Sequence, residues 1–238
     1  DSKYLTQSIA KDYDVCFVFE AAGQQNEVVV ARKGVATYHI DILGKAAHAG
    51  NHYSDGVNAN LAAAHMIIEL STLTRNSFGT TVNAGKVTGG IGANTISPNA
   101  SITVEARFTN ASEKERVISE IERIATTQYV SGIKSSFTGG LQRDVMQSNS
   151  KQVLLIQELE RIIGRSLKLE KRGGVSDANT ISAMGVPTLD GFGPFGDGDH
   201  TINERACKKS FVARINDMSK VLFHFNGEAS IAKTSKVA

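Results

Sequence analysis

Tryptophan is absent from the 238 residues, proline occurs three times and cysteine only twice. Cys16 and Cys207 lie far apart with no CxxC spacing, which excludes a disulfide-stapled scaffold and a thiolate zinc cluster. They read as buried thiols of a reducing compartment, or at most one disulfide, so a cytoplasmic location is expected. Charge of one sign is also missing. The 26 Lys and Arg against 24 Asp and Glu leave a net charge of +2 and form no dense basic stripe, so nucleic acid is not an expected partner. No apolar stretch approaches the roughly 20 residues that a bilayer span requires, and no membrane partner is expected. Neither GxxxxGK[ST] nor a strand–GxGxxG–helix unit is present, which rejects a nucleotide site. The chain opens on Asp1 with no initiator Met and no signal-peptide pattern, so it is expected to begin inside something larger or after processing.

What is present is an ordinary globular composition, 41% hydrophobic and 21% charged, with enough apolar surface for a core. Residues 1–34 read as a short helix and two strands. The run Val15–Phe19 has the continuous apolar pattern of a strand buried on both faces. From Gly34 the pattern becomes strict alternation, with Ala36, Tyr38, Ile40 and Ile42 on one face and Thr37, His39 and Asp41 on the other. A helix with Val57, Leu61, Ala64 and Ile68 at helical spacing follows, then strands over 80–88 and 102–108. A helix opened by a Ser112–Glu115 capping box comes next, with Val117, Ile121 and Ile124 on its face, and then a strand over 132–138. The order β-α-β-β-α-β over 35–143 predicts a ferredoxin-like domain. Beyond it, a helix carries Val153, Ile156 and Ile163, a strand covers 167–170, a short helix 177–184 and a strand 186–189. The closing helix is amphipathic, with Phe211, Ile215, Met218, Leu222 and Phe225 on one face, and a small polar tail begins at Asn226. The expected architecture is α/β with an inserted α+β lid: residues 1–34 and 144–238 form parts of one α/β domain, and 35–143 the lid.

Several residues have the chemistry of a site. Glu20 ends the Val15–Phe19 strand, where α/β sheets place ligands, and a carboxylate there is either a metal ligand or a solvent-facing acid. His200 sits in the glycine-rich Gly196–Glu204 segment, where the backbone can turn an imidazole into a cleft or leave it on the surface. Gly44-Lys-Ala-Ala-His48-Ala-Gly50 sets a histidine among small residues that permit close approach of a substrate or another subunit, or a purely structural role. Asn94 ends the glycine-rich turn from Gly89, and Arg107 lies out of phase with Val104, Ala106 and Phe108. Asn94 and Arg107 together could hold a carbonyl oxygen and a carboxylate. Arg172-Gly173-Gly174-Val-Ser176-Asp177 precedes a short helix whose amides could bind a carboxylate, with Ser176 or Asp177 as its cap.

The segments Phe17–Glu20, Arg32–Gly34, Gly44–Gly50, Asn94–Pro98, Val104–Arg107, Gly173–Asp177 and His200-Thr resemble, in order, the zinc carboxypeptidase/aminoacylase family, with the glutamate carboxypeptidase type nearest. The resemblance implies a catalytic domain holding two zinc ions and a ferredoxin-like lid that makes a homodimer. It implies Glu20 as a terminal ligand of one metal and His200 of the other. His48 is then the lid histidine that stabilises the oxyanion in the partner subunit's site, and Asn94, Arg107 and Gly173 are groups that hold the substrate. Glutamate at position 20 points to carboxypeptidase or deacylase action on a small peptide or N-acyl amino acid. In the family, a His-x-Asp motif, a bridging aspartate and an adjacent glutamate pair lie upstream of the segment matching residue 1. This chain is therefore expected to hold an incomplete zinc ligand set and to be inactive alone. A non-catalytic binding or dimerisation module is the alternative.

Overall fold

The computed structural model describes residues 2–234. It opens with α1 (Ser2–Ala10), β1 (Cys16–Phe17) and β2 (Val28–Arg32). The middle of the chain is β3 (Gly34–Leu43), α2 (Ala59–Thr72), β4 (Thr81–Gly89), β5 (Asn99–Phe108), α3 (Ala111–Thr126) and β6 (Lys134–Arg143). Then follow α4 (Ser150–Ile163), β7 (Leu169–Arg172), α5 (Asp177–Ser182), β8 (Thr188–Leu189), β9 (Gly196–Asp197), β10 (Arg205–Ala206) and α6 (Lys208–Thr234). These elements form two compact units, Lys33–Val145 and the segments on either side of it.

In the middle unit the alternation of β3 becomes a two-faced sheet. Ala36, Tyr38, Ile40 and Ile42 are buried, and His39 and Asp41 are exposed. The strands run β4-β5-β3-β6, every pair antiparallel. One core joins the inward residues of β3 and β5 to α2 and α3, so both helices cover the same face. The α3 stripe is buried as read, but its cap is Asn110 rather than Ser112: Asn110 Oδ1 accepts the Glu113 N–H at 2.9 Å. That frees the Glu113 carboxylate for Arg116 (2.7 Å) and Arg75 (3.3 Å). The stripe read from α2 is the wrong face. Ala59, Ala62, Ala63, Met66 and Leu70 are buried, while Leu61 is exposed and Ile68 is 66% exposed. The helix is apolar nearly all round, and periodicity cannot choose a face in such a helix.

In the other unit β1 pairs parallel with β8, β2 pairs parallel with β7, and an antiparallel bridge joins Val29 to Asp190. Val28, Val30 and Leu189 pack against Leu155 and Leu159 of α4 and Met218 and Val221 of α6. Five expectations change here. Val15–Phe19 is not buried on both faces: its ladder is two residues long, and Phe19 is 58% exposed. Val153 is exposed, and the inner stripe of α4 is Leu155, Ile156, Leu159 and Ile163. α6 buries Met218 and Val221 but leaves Phe211, Ile215 and Leu222 exposed. It also continues past Asn226 to Thr234, and the rest of the expected polar tail lies outside the described residues. Phe19, Phe192, Phe211, Ile215 and Leu222 line one groove of about 430 Å³. Burying a side chain of this kind is worth about 1.5–3 kcal/mol, so the groove is a surface that gains from being covered. Cys207 is exposed rather than buried, and Cys16 is half-buried; both are free thiols. Among the described residues no helix is long and apolar enough to cross a membrane.

The Arg116 guanidinium first, with help from Thr80 and Arg75, lowers the Glu113 carboxyl to about 2. A depressed carboxylate contributes stability that is present above its unfolded pKa and is lost as pH falls through the folded value. Glu113→Ala should therefore cost about 1.5–3 kcal/mol at neutral pH. In thermal melts, the gap to the parent chain should narrow as pH falls from about 4.5 toward 2.

Candidate functional site

In the lid unit, the segment after β3 folds back on the turn between β4 and β5. His48 forms an antiparallel bridge with Thr95, Ala49 N–H donates to the Asn94 carbonyl at 2.9 Å, and Ile96 N–H donates to the Ala47 carbonyl at 2.9 Å. The fold thus brings His48 and Asn94 onto paired segments. Just before it, Gly44 allows the neighbouring Lys45–Val57 bridge, because a Cβ there would stand 2.1 Å from the Val57 carbonyl oxygen. The His48 ring is exposed, and its Nδ1 accepts N–H groups from Gly50 and Asn51, both at 3.2 Å.

Arg107 is elsewhere. It pairs with Val35 at the start of β3, whereas Asn99, which leads out of the Asn94 turn, pairs with Leu43 at its end. Eight residues at ~3.4 Å each put Arg107 about 27 Å along β5 from Asn99. Within one chain, therefore, Asn94 and Arg107 do not jointly grip one ligand, contrary to the expectation from sequence. Arg107 lies on the outward face as its phase requires, bound to Glu105 through Nε (2.8 Å) and Nη2 (3.3 Å), and this partner raises the guanidinium pKa.

In the other unit, Glu20 lies just beyond β1 and is exposed. Its carbonyl accepts the Gly193 N–H at 2.9 Å, and the segment continues into a parallel bridge between Ala22 and Phe195. A Cβ on Gly193 would stand 2.7 Å from the carbonyl oxygens of Phe19 and Glu20, so only glycine allows this approach. The strand partnered with 20–22 thus leads directly into the turn that carries His200. His200 has φ +64, a left-handed conformation uncommon for a non-glycine residue, and its N–H donates to Glu204 Oε2 at 3.3 Å. Arg172 Nη1 donates to the Ala21 carbonyl at 2.7 Å, tying the end of β7 to the residue after Glu20. Next to it, Gly173 has open space where a Cβ would stand, so packing does not require its glycine. Ser176 caps α5 and completes a capping box with Asn179.

Beneath these loops is a buried network that reading the sequence missed. Arg32 Nε donates to Asp190 Oδ2 at 2.7 Å, Ser176 Oγ donates to the same oxygen at 2.6 Å, and Gly191 N–H donates to Oδ1 at 2.6 Å. Arg32 Nη1 also reaches the Gly174 carbonyl at 3.0 Å. The available signal was an arginine at the end of an apolar strand and an aspartate at the end of another. Burial first, and then Asp190, raise the pKa of the nearby Cys16 thiol.

Among the described residues no three His, Cys, Asp or Glu side chains converge as a metal site. Glu20 and His200 offer donors that zinc accepts, but zinc requires about four ligands. These residues therefore do not fit a metal by themselves. One His-x-Asp spelling does occur, His39-Ile-Asp41, but it lies on the exposed face of β3. There, His39 Nε2 is 3.2 Å from Asp41 Oδ1, and Nδ1 is 3.3 Å from Thr103 Oγ1. It lies within Lys33–Val145, whereas the resemblance places the family's motif upstream of residue 1.

The fold is thus an antiparallel four-stranded unit inserted in sequence into an α/β unit, with an acid and an imidazole on the loops of the latter. Residues 30–133 match the family described as Peptidase dimerisation domain. The chain is 25% identical over 206 residues to carboxypeptidase G2 of Pseudomonas sp., covering 84% of this chain and 49% of that protein. It is 32% identical over 137 residues to a p-aminobenzoyl-glutamate hydrolase homolog of Haemophilus influenzae, covering 54% and 31%. The structure of aminopeptidase PepT from Bacillus cereus shares the fold, with TM-score 0.74 at 24% identity over 92% of this chain and 61% of that one. The middle of the chain therefore matches the M20 peptidase dimerisation domain, and the relatives that align over more of the chain support the M20 carboxypeptidase/aminoacylase family. It spans about half the length of the curated relatives it matches, or less.

Arg32→Met leaves Asp190 as an unpaired buried charge and should cost about 3–5 kcal/mol in urea denaturation. Pairing it with Asp190→Leu should recover part of that loss. Equal or greater loss in the double variant would show that the network stabilises through more than its charges.

Proposed function

We propose that, within the intact enzyme, this chain serves metal-dependent hydrolysis of a peptide or N-acyl amide bond next to a free carboxylate. The observation that carries this reading is the pairing of 20–22 with 193–195. That pairing puts a ligand-type carboxylate and a left-handed histidine on loops following the parallel strands β1 and β8, where such sheets hold ligands. Glu20 and His200 would each give one of two zinc ions a terminal ligand, with the remaining ligands and the general base coming from outside these residues. Glutamate at position 20 favours a C-terminal residue or an N-acyl group as the part removed. Gly173 would help to hold the substrate through its backbone.

The lid supplies donors to the substrate. Because Asn94 and Arg107 stand at opposite ends of β5, they can serve one substrate only if two copies of the lid contribute. His48 and Asn94 would then act on the partner's site. The apolar outer face of α2, with Leu61 and Ile68, and the open edge of β4 are the contact surfaces for such a homodimer. The groove of Phe19, Phe192, Phe211, Ile215 and Leu222 would be covered by the rest of the catalytic domain. The second reading is a binding or dimerisation module, favoured by a complete lid beside an incomplete ligand set.

The 238-residue chain alone should hydrolyse no peptide or N-acyl amino acid at an enzymatic rate. Joined to the upstream half, it should show zinc-dependent activity on substrates with a free carboxylate. In that enzyme His48→Ala should lower kcat by about 10²–10³, the range for losing one oxyanion donor, with zinc content unchanged. Mixing His48→Ala protomers with protomers lacking the general base should restore activity in mixed dimers. No recovery after confirmed exchange of protomers would place His48 in its own chain's site. Inactivity of the joined enzyme on all such substrates would favour the module. Ile68→Asp should shift the intact protein from dimer to monomer in analytical ultracentrifugation.

A further inference from the structure

Two N–H groups cannot both point at a ring nitrogen that carries its own proton. Gly50 N–H and Asn51 N–H both donate to His48 Nδ1 at 3.2 Å, so the neutral ring carries its proton on Nε2. The turn is closed by His52 N–H donating to the His48 carbonyl at 2.9 Å. It is fixed on its other side by the bridge to Thr95 and by Ala49 N–H on the Asn94 carbonyl. Two peptide dipoles aimed at Nδ1 lower the energy of one tautomer and raise that of the other, and the turn holds them there before any ligand arrives.

We propose that this turn is a tautomer lock. The backbone N–H groups of Gly50 and Asn51 hold neutral His48 with its proton on Nε2, so the exposed side chain offers a ligand one donor and no acceptor. Asn51 is then a positioning residue that acts through its main chain. The ligand atom that suits such a ring is a hydrogen-bond acceptor, a carbonyl oxygen or an oxyanion. A locked ring gives nothing to a substrate N–H and has no lone pair on Nε2 for a metal. Assigning the acceptor to the carbonyl of the amide being cleaved rests on the proposed function; the lock itself does not.

The test is long-range ¹H–¹⁵N correlation spectroscopy on the chain labelled at histidine nitrogen, at a pH where the ring is neutral, with His48 assigned by its loss in His48→Gln. The expected result is an unprotonated Nδ1 and a protonated Nε2, with no averaging between tautomers. Gly50→Ala keeps the N–H, and its added Cβ meets His48 Cε1 at an ordinary 3.5 Å, so it should leave the pattern unchanged. Asn51→Ala should leave it unchanged too. Asn51→Pro removes one donor and should move both nitrogens toward averaged shifts. A parent chain with averaged shifts or a protonated Nδ1 would overturn the lock, and this single spectrum decides even if Asn51→Pro unfolds. An unaltered pattern in a folded Asn51→Pro would overturn the role of Asn51. A locked ring in an intact enzyme indifferent to His48→Ala would instead count against the proposed function.

Discussion

Arg32 and Asp190 meet at a point almost wholly shut off from water, with side chains 5% and 0% exposed. Much of the larger unit depends on that contact. Arg32 is the last residue of β2, and its backbone exchanges hydrogen bonds with Met146, the residue at which the chain returns from the lid. The same side chain binds Asp190 at the end of β8 and the Gly174 carbonyl before α5. A buried guanidinium costs several kcal/mol to desolvate unless its donors are matched, so these loops have little freedom to move apart. The ends of β2, β7 and β8 are thereby fixed together; Gly173 follows β7, the segment leading to His200 follows β8, and Glu20, just beyond β1, joins them through its pairing with Gly193.

A second constraint is apolar surface without cover. α2 and α6 each bury one face and leave another exposed, Leu61 and Ile68 on the first and Phe211, Ile215 and Leu222 on the second. Arg214 in α6 belongs to the same problem. One of its terminal nitrogens donates to the carbonyls of Asn26, Glu27 and Gly191, and burial lowers its pKa. It ties the loop before β2 to the loop after β8 on the groove side of α6.

The lid was legible in the sequence because its strands are two-faced. Alternation in β3 and β5 marks inside from outside one residue at a time, and the phase of Arg107 alone put it on the outward face. The helices were legible as helices but not as faces, because a stripe at helical spacing in α2 or α6 is matched by another beside it. The run Val15–Phe19 misled for a related reason: it has the pattern of a central strand but stands with little beside it. Among the candidate residues, Glu20, His48, Asn94 and His200 were found through their glycine-rich or strand-end settings. What could not be read was distance. Nothing in the spacing of Asn94 and Arg107 says that a ten-residue strand, Asn99–Phe108, separates them end to end. Nor does sequence separation suggest that Arg32 and Asp190 touch.

The central claim is that this chain carries part of a metal-dependent site, with one terminal ligand for each ion. Zinc binding measured by equilibrium dialysis tests it most directly, on the chain alone and on the chain joined to its upstream half. The account predicts weak or no binding to the chain alone. It predicts two zinc ions per site in the joined protein, each weakened separately by Glu20→Ala and His200→Ala. Tight stoichiometric zinc in the isolated chain, lost on His200→Ala, would contradict it.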